Sequence, residues 1–441
     1  MVFKEAEQFL YSLSNIPRKE YMRDANGCDE YLPRVQFFLD ILGNPEKDIP
    51  HYIHVTGTSG KGSVVHFLHS ILHTDGRRVA STTSPHPTSI VERWKVGNAI
   101  MSKKEFVAII EALQPNLDTY VRTSPYDMLS YFDMTTVIAL YYFAKKKVAW
   151  AILEVGCGGM YDATNIIPHK DVAVITNVGL DHTELLGKTT SAIAKRKSGI
   201  ITGNTNVFTS ERVPTIRAII KKQSEKTHST CSFTNTTALS DISVTLSGTS
   251  FQYKGHTYKI RAIGEHQALN ASLAIDIAQS LGIPHTAIAR GIATATQPIR
   301  MEVVSKLPLM IIDGAHNLDK INSTVRTIQK LRQHTNGRLH IINGFSGDKE
   351  LVPMITDLTT LSPESVACTR NTINHFRKVA NPSDIQSAWN KLSTETRTDI
   401  FLNPVDALTW TKKNMKKHDI LLVTGSIFLS SEIKGLLSQW G

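Results

Sequence analysis

The chain has 441 residues, 41% of them hydrophobic and 20% charged, with a formal net charge of +10 at pH 7. That length exceeds one ordinary core, and the composition is that of a soluble globular protein of two or three domains. The longest apolar run, Val137 to Ala144, falls far short of the roughly 20 residues a membrane span requires.

Lys4, Glu5 and Glu7 precede any apolar run, which fits neither a signal nor a transit peptide. Four scattered cysteines (Cys28, Cys157, Cys231, Cys368) lack metal-ligand spacing and point to reduced thiols in a cytoplasm. The positive charge favours anionic partners. Its short clusters at Lys145–Lys147, Lys221-Lys222 and Lys412–Lys417 are not interleaved with aromatics, so a nucleic-acid partner is not expected.

The first half alternates strand and helix patterns. Strands are expected at Tyr52–Val55, Arg78–Thr82, Trp150–Val155, Val172–Thr176 and Val207–Thr209. Helices are expected at Ser63–His73, Lys103–Leu113, Met134–Lys145 and Thr190–Gly199. Such alternation implies a parallel sheet with right-handed crossovers. From Ile242 to Ile263 short alternating strands with turn signals at Ser247-Gly248 and Lys254-Gly255 predict an antiparallel edge or flap. A helix over His266–Ser280 follows.

Near Gln297-Pro298 the alternation restarts, with strands at Leu309–Ile312, Leu339–Ile342, Val366–Cys368, Ile400–Leu402 and Leu421–Thr424. The expected class is therefore α/β. A domain over 1–297 is followed by a smaller α/β domain over 298–441, with a cleft between them as a place for ligands.

The most informative segment is His54-Val-Thr-Gly-Thr-Ser-Gly-Lys-Gly-Ser63. Strand, glycine turn, lysine, hydroxyl and helix form a phosphate cradle. Backbone N–H groups and the helix N-terminus bind phosphate oxygens, the lysine adds a charge, and the hydroxyl reaches Mg²⁺. The loop departs from the standard spacing: Val55 stands where the first glycine falls, and Gly62 separates Lys61 from Ser63. A helix-capping turn with a solvated lysine is the plainer alternative.

Glu154 lies inside the apolar strand of Trp150–Asn165. A buried carboxylate needs a partner; after a phosphate loop the natural one is Mg²⁺, with a structural ion pair as the alternative. Asp181 and His182 follow another buried strand, at the sheet edge where ligands collect; a hydrogen-bonded structural histidine is the commoner outcome. Lys197 sits on a helix pattern and by itself reads as a solvated lysine. Asp313, His316 and Asn317 stand on the turn after a strand. There Asp313 suits either ribose hydroxyls or a tight turn.

Together these segments resemble the folylpolyglutamate synthase/dihydrofolate synthase family, a branch of the Mur ligases. The resemblance runs in order through Leu42-Gly-Asn-Pro45, His54–Ser63, Thr83-Ser-Pro-His86, Glu92-Arg93 and Leu153–Asn165. It continues through Thr176–Gly187, Ile193–Ile201, Gly264–Ala274, Arg300-Met-Glu302, Asp313–Asn317 and Val423-Thr-Gly-Ser426. It implies a phosphate-loop Mur-ligase central domain and a Rossmann-like C-terminal domain. The implied activity is ATP-dependent addition of L-glutamate to a folate-type carboxylate through an acyl phosphate.

The resemblance also implies roles. Gly57, Thr58, Ser59, Gly60, Lys61, Gly62 and Ser63 would hold ATP phosphates, and Asn270, Arg300, Asp313 and His316 would contact ATP. Ser84 and Glu154 would hold one Mg²⁺ and His182 a second, with Lys197 carbamylated beside it. Thr83, Pro85, His86, Arg93, Phe132 and Asp162 would line the acceptor side. Catalysis would fall to Lys61, Lys197 and His182.

Ser59, Pro87, Met160 and Asp133 depart from the family pattern, as does the N-terminal entry. The implied partners are ATP, L-glutamate and folate or dihydropteroate, with no membrane and a monomeric state. A Mur-type ligase for a non-folate carboxylate and a phosphate-loop ATPase without ligation are the competing readings.

Overall fold

Strand β1 (His51–Thr56) forms where the apolar run enters the glycine turn, and all of it beyond His51 is buried. In the computed structural model, which describes residues 1–15, 28–333, 337–347, 350–373 and 378–439, β1 lies inside the first of two units. The first unit comprises 1–238 with 269–294, and the second 239–268 with 295–441. The segment 239–268, which the sequence reading put in the 1–297 domain, therefore groups with the second unit.

In the first unit, α1 (Phe3–Ser12) and α2 (Tyr31–Ile41) precede β1. Then come α3 (Lys61–Thr74), β2 (Val79–Thr82), β3 (Trp94–Val96), β4 (Ala99–Ile100), α4 (Lys103–Thr123) and α5 (Tyr131–Lys145). β5 (Trp150–Glu154), β6 (Val172–Ile175), α6 (Thr183–Leu186), α7 (Thr190–Ser198), β7 (Asn206–Thr209), α8 (Pro214–Lys226) and β8 (Thr230–Phe233) follow. The sheet order is β4-β3-β2-β5-β1-β6-β7-β8. Its strands from β2 to β8 are parallel, as expected, while β3 and β4 add an antiparallel edge. Central strands β1, β2, β5 and β6 are near-continuously buried, as a sheet covered on both faces requires.

One core cluster joins Leu10, Phe38, Phe106 and Phe143 to Trp94, which stacks on Phe106 at 5.8 Å. Within it a buried ion pair links Arg34 to Asp133 at 2.6 Å. Helix α4 continues past the expected end at Leu113, through Pro115, to Thr123. Asn116 Nδ2 donates to Ala112 O at 3.0 Å beside the break, and buried Leu117 and Tyr120 hold the second half to the core. Packing there outweighs the missing proline donor.

The second unit carries an antiparallel sheet of β9 (Leu239–Thr245), β10 (Gly248–Tyr253) and β11 (His256–Ile260), which is the expected flap. Helix α9 (Glu265–Ser280) runs from it into the first unit, where α10 (His285–Thr294) follows. The chain returns through β12 (Glu302–Lys306), β13 (Leu309–Ile312), α11 (Leu318–Arg332), β14 (Leu339–Asn343) and α12 (Leu351–Thr359). β15 (Ser365–Cys368), α13 (Pro382–Leu392), β16 (Arg397–Ile400), α14 (Pro404–Asn414), β17 (Ile420–Thr424) and α15 (Ile427–Gln439) complete it. The order is β12-β13-β17-β14-β15-β16, parallel except for β12. Among the described residues no helix is long and apolar enough to cross a membrane.

Candidate active site

The turn between β1 and α3 is fixed by the strand beside it. Gly57 has φ +149°, and a Cβ on it would fall 1.8 Å from Thr176 Oγ1, so only glycine fits. Thr176 Oγ1 donates to Ser59 O at 2.5 Å, and Ser59 N donates to Asn177 Oδ1 at 2.8 Å. Thr58 N reaches Asn177 O at 2.9 Å, and Thr58 Oγ1 accepts from Gly179 N at 2.9 Å. Gly60 takes the left-handed N-cap position at φ +83°, where a Cβ would meet Asn270 Oδ1 at 2.4 Å. Asn270 on α9 thus belongs to the loop's surroundings. Ser63 lies buried in the first turn of α3. Ser59 Oγ is buried with no hydrogen-bond partner among the described residues, an orphaned donor inside a phosphate loop.

Two lysines meet on one carbonyl. Lys61 Nζ and Lys197 Nζ each donate to Gly57 O at 2.9 Å. Lys197, on α7, is 5% exposed. Burial, with repulsion from Lys61 second, lowers its pKa to about 7. The solvated lysine that the local pattern suggested is instead a buried amine, near neutrality, inside the site.

Glu154 ends β5 in register with Val55 of β1. Its Oε2 accepts from Ser84 N at 3.0 Å and lies 3.4 Å from where a Gly62 Cβ would stand. The glycine that breaks the standard spacing therefore lies directly against the carboxylate, at ordinary contact distance. The carboxylate and the Ser84 hydroxyl are the hard oxygens that Mg²⁺ takes together with phosphate and water, so these residues fit the ion. His182 holds a left-handed φ of 49° at the N-cap of α6, with its N–H on Asp181 Oδ1 at 3.0 Å. Among the described residues no three His, Cys, Asp or Glu side chains gather as a ready-made metal cluster. Most ligands of an ion here would therefore come from nucleotide and water.

On the other side of Ser84, Thr83 N donates to Arg93 O at 3.0 Å, which folds the turn carrying Pro85 and His86 back on itself. Arg93 Nε donates to His86 Nδ1 at 3.2 Å, and the guanidinium lies 5.6 Å over the Tyr131 ring. Phe132 is 54% exposed and meets Tyr131 edge-on at 5.2 Å. Asp162 is engaged by its own loop: Oδ2 accepts from Cys157 N at 2.9 Å, and Oδ1 from Thr164 Oγ1 at 2.5 Å and Thr164 N at 3.1 Å. Its burial raises the carboxyl pKa.

In the second unit, Asp313 Oδ2 accepts from Met301 N at 2.8 Å. Its Oδ1 accepts from Ala315 N at 2.9 Å and Thr324 Oγ1 at 2.8 Å. Arg300 Nη1 lies 3.1 Å from where a Gly314 Cβ would stand. His316 Nδ1 bonds Gly314 O at 2.8 Å, so it carries the proton, and Nε2 accepts from Lys320 Nζ at 2.9 Å. Asn317 caps α11 through Lys320 N. Sequence reasoning passed over Thr176, Asn177 and Lys320. Thr176 and Asn177 open the Thr176–Gly187 segment noted above, whereas Lys320, in the first turn of α11, carried no signal.

Residues 55–278 match the Mur ligase middle domain, and residues 299–427 match the Mur ligase glutamate ligase domain. The chain belongs to the Mur ligase family. Within the Mur ligases it falls in the folylpolyglutamate/dihydrofolate synthase branch and is an ATP-dependent ligase. It is 29% identical over 427 residues to a Bacillus subtilis dihydrofolate synthase/folylpolyglutamate synthase, covering 92% of this chain and 95% of the relative. Among solved structures of the branch, Mycobacterium tuberculosis folylpolyglutamate synthase complexed with ADP and AMPPCP matches this ligase with a TM-score of 0.82. The pair is 28% identical over 92% of this chain and 95% of the other. E. coli FolC in complex with DHPP and ADP gives 0.81 at 25% identity, over 99% and 98% of the two chains.

Proposed function

We propose that this ligase joins the amino group of L-glutamate to a carboxylate of a folate-type acceptor through an acyl phosphate made from ATP. The observation that carries the reading is the meeting of Lys61 and Lys197 on Gly57 O in a loop whose Gly62 lies against Glu154. The acceptor carboxylate oxygen attacks the γ-phosphorus and ADP leaves. The glutamate nitrogen then attacks the acyl carbon and loses a proton, and inorganic phosphate departs from the tetrahedral intermediate. Lys61 leaves its backbone carbonyl to hold the transferring phosphoryl group, and the loop N–H groups fix its oxygens.

Magnesium, held by Glu154 and Ser84 with a second ion at His182, would neutralise charge on the phosphates. Lys197, close to neutrality, is a nucleophile for carbon dioxide: its nitrogen adds to the carbon and releases a proton, leaving a carbamate. That exchange would turn a buried cation beside Lys61 into an anion. Arg300, Asp313, His316 and Asn270 would contact the nucleotide, and Thr83, Pro85, His86, Arg93, Phe132 and Asp162 would line the acceptor side. For Asp313 and Asp162 the contact would come through loops that their carboxylates brace. The enzyme would work as a cytoplasmic monomer on small molecules. Lys61→Ala should lose acceptor- and glutamate-dependent ADP release while keeping its melting temperature; undiminished turnover would contradict the reading.

A further inference from the structure

Arg93 is 5% exposed, and no described carboxylate stands within ion-pair distance of it. Its partners are His86 and the Tyr131 ring. A guanidinium only donates, so His86 Nδ1 must present its lone pair and Nε2 must carry the proton. Nε2 lies 3.5 Å from Tyr11 Oη, and Tyr11 O–H donates to Glu7 Oε1 at 3.2 Å. Every donor in this series finds an acceptor: Arg93 to His86, His86 to Tyr11, Tyr11 to Glu7. Tyr11 also packs on Tyr131 at 5.7 Å, and Tyr131 in turn supports the exposed Phe132.

The series begins on α1 and ends at the turn that bonds Glu154 through Ser84. We propose that Tyr11 and Glu7 are positioning residues for the acceptor. Through His86 they fix the Arg93 guanidinium over Tyr131, behind the open face of Phe132 where a planar heteroaromatic ring would stack. Arg93 then offers a desolvated positive charge to an acceptor that is both aromatic and anionic. The ATP side of the loop has no member of this series, so the two binding functions separate.

The inference rests on the folate-type acceptor reading, and one set of measurements distinguishes their failures. Steady-state ADP release is measured for wild type, Tyr11→Phe, Glu7→Ala and Glu7→Gln, varying dihydropteroate or tetrahydrofolate and, separately, ATP. Tyr11→Phe keeps the ring contact and breaks the hydrogen bonds. It should raise the acceptor KM about fivefold, the effect of one lost hydrogen bond, with kcat and the KM for ATP within about twofold. Glu7→Ala should do the same, whereas Glu7→Gln retains an accepting oxygen and should stay near wild type. An unchanged acceptor KM in Tyr11→Phe, or a fall in kcat and melting temperature together, overturns the inference and leaves the function standing. No turnover of either acceptor by wild type overturns both.

Discussion

Replacing Lys197 with methionine tests the buried amine without any ligand. In the native protein its pKa lies at about 7 against an ordinary 10.5, mainly because burial disfavours the charged form and secondarily because Lys61 repels it. Between those values the unfolded chain binds a proton that the native state does not. Stability therefore rises with pH through the window from 7 to 10.5, is lost as pH falls back through that window, and changes no further below 7. At 1.36 kcal/mol for each tenfold, the full swing is on the order of 5 kcal/mol.

Lys197→Met removes the swing along with the bond to Gly57 O, whose loss costs about 1–3 kcal/mol. The variant should be more stable than wild type near pH 6, and the advantage should shrink and reverse towards pH 10. Denaturant melts of both proteins in carbon-dioxide-free buffers from pH 6 to 10 read this directly. A stability difference that does not change with pH would refute the reasoning.

Two further changes report on the scaffold. Gly57→Ala places a methyl 1.8 Å from Thr176 Oγ1, so the loop must move. ADP release should fall by on the order of a hundredfold, while circular dichroism stays native. Asp133→Ala strands the buried Arg34 guanidinium and removes the acceptor of Ser130 N at 2.7 Å. It should cost about 3–5 kcal/mol of stability by denaturant titration, whereas an Arg34→Met/Asp133→Leu pair should recover most of it.

The parallel sheets and the phosphate loop were legible because their signals are local: apolar strands, glycine turns and helix periodicity lie within a dozen residues. What was hidden depends on contacts between distant segments. Gly62 reads as a spacing defect until Glu154, 92 positions on, is seen opposite it. Lys197 reads as solvated because a helix pattern does not say which neighbour covers it; Gly57, 140 residues away, does.

Asp313 illustrates the opposite case. Its sequence context allowed either a ribose contact or a turn, and its carboxylate already carries three hydrogen bonds from its own unit. The helix expected over Lys103–Leu113 runs on to Thr123 because buried Leu117 and Tyr120 hold its far side to the core, which local propensity does not register. Strands β9 to β11 show the same limit: short alternating runs fix an antiparallel flap but not the unit it joins.

The central claim is that this phosphate loop serves amide formation rather than ATP hydrolysis. The most direct measurement is ADP release by wild type with ATP and Mg²⁺, given L-glutamate together with dihydropteroate, tetrahydrofolate or no acceptor, with the product weighed by mass spectrometry. The account predicts ADP release only when glutamate and a pteridine acceptor are both present, matched mole for mole by an acceptor heavier by one glutamyl residue. Equal ADP release without an acceptor, or with no glutamylated product, would contradict it.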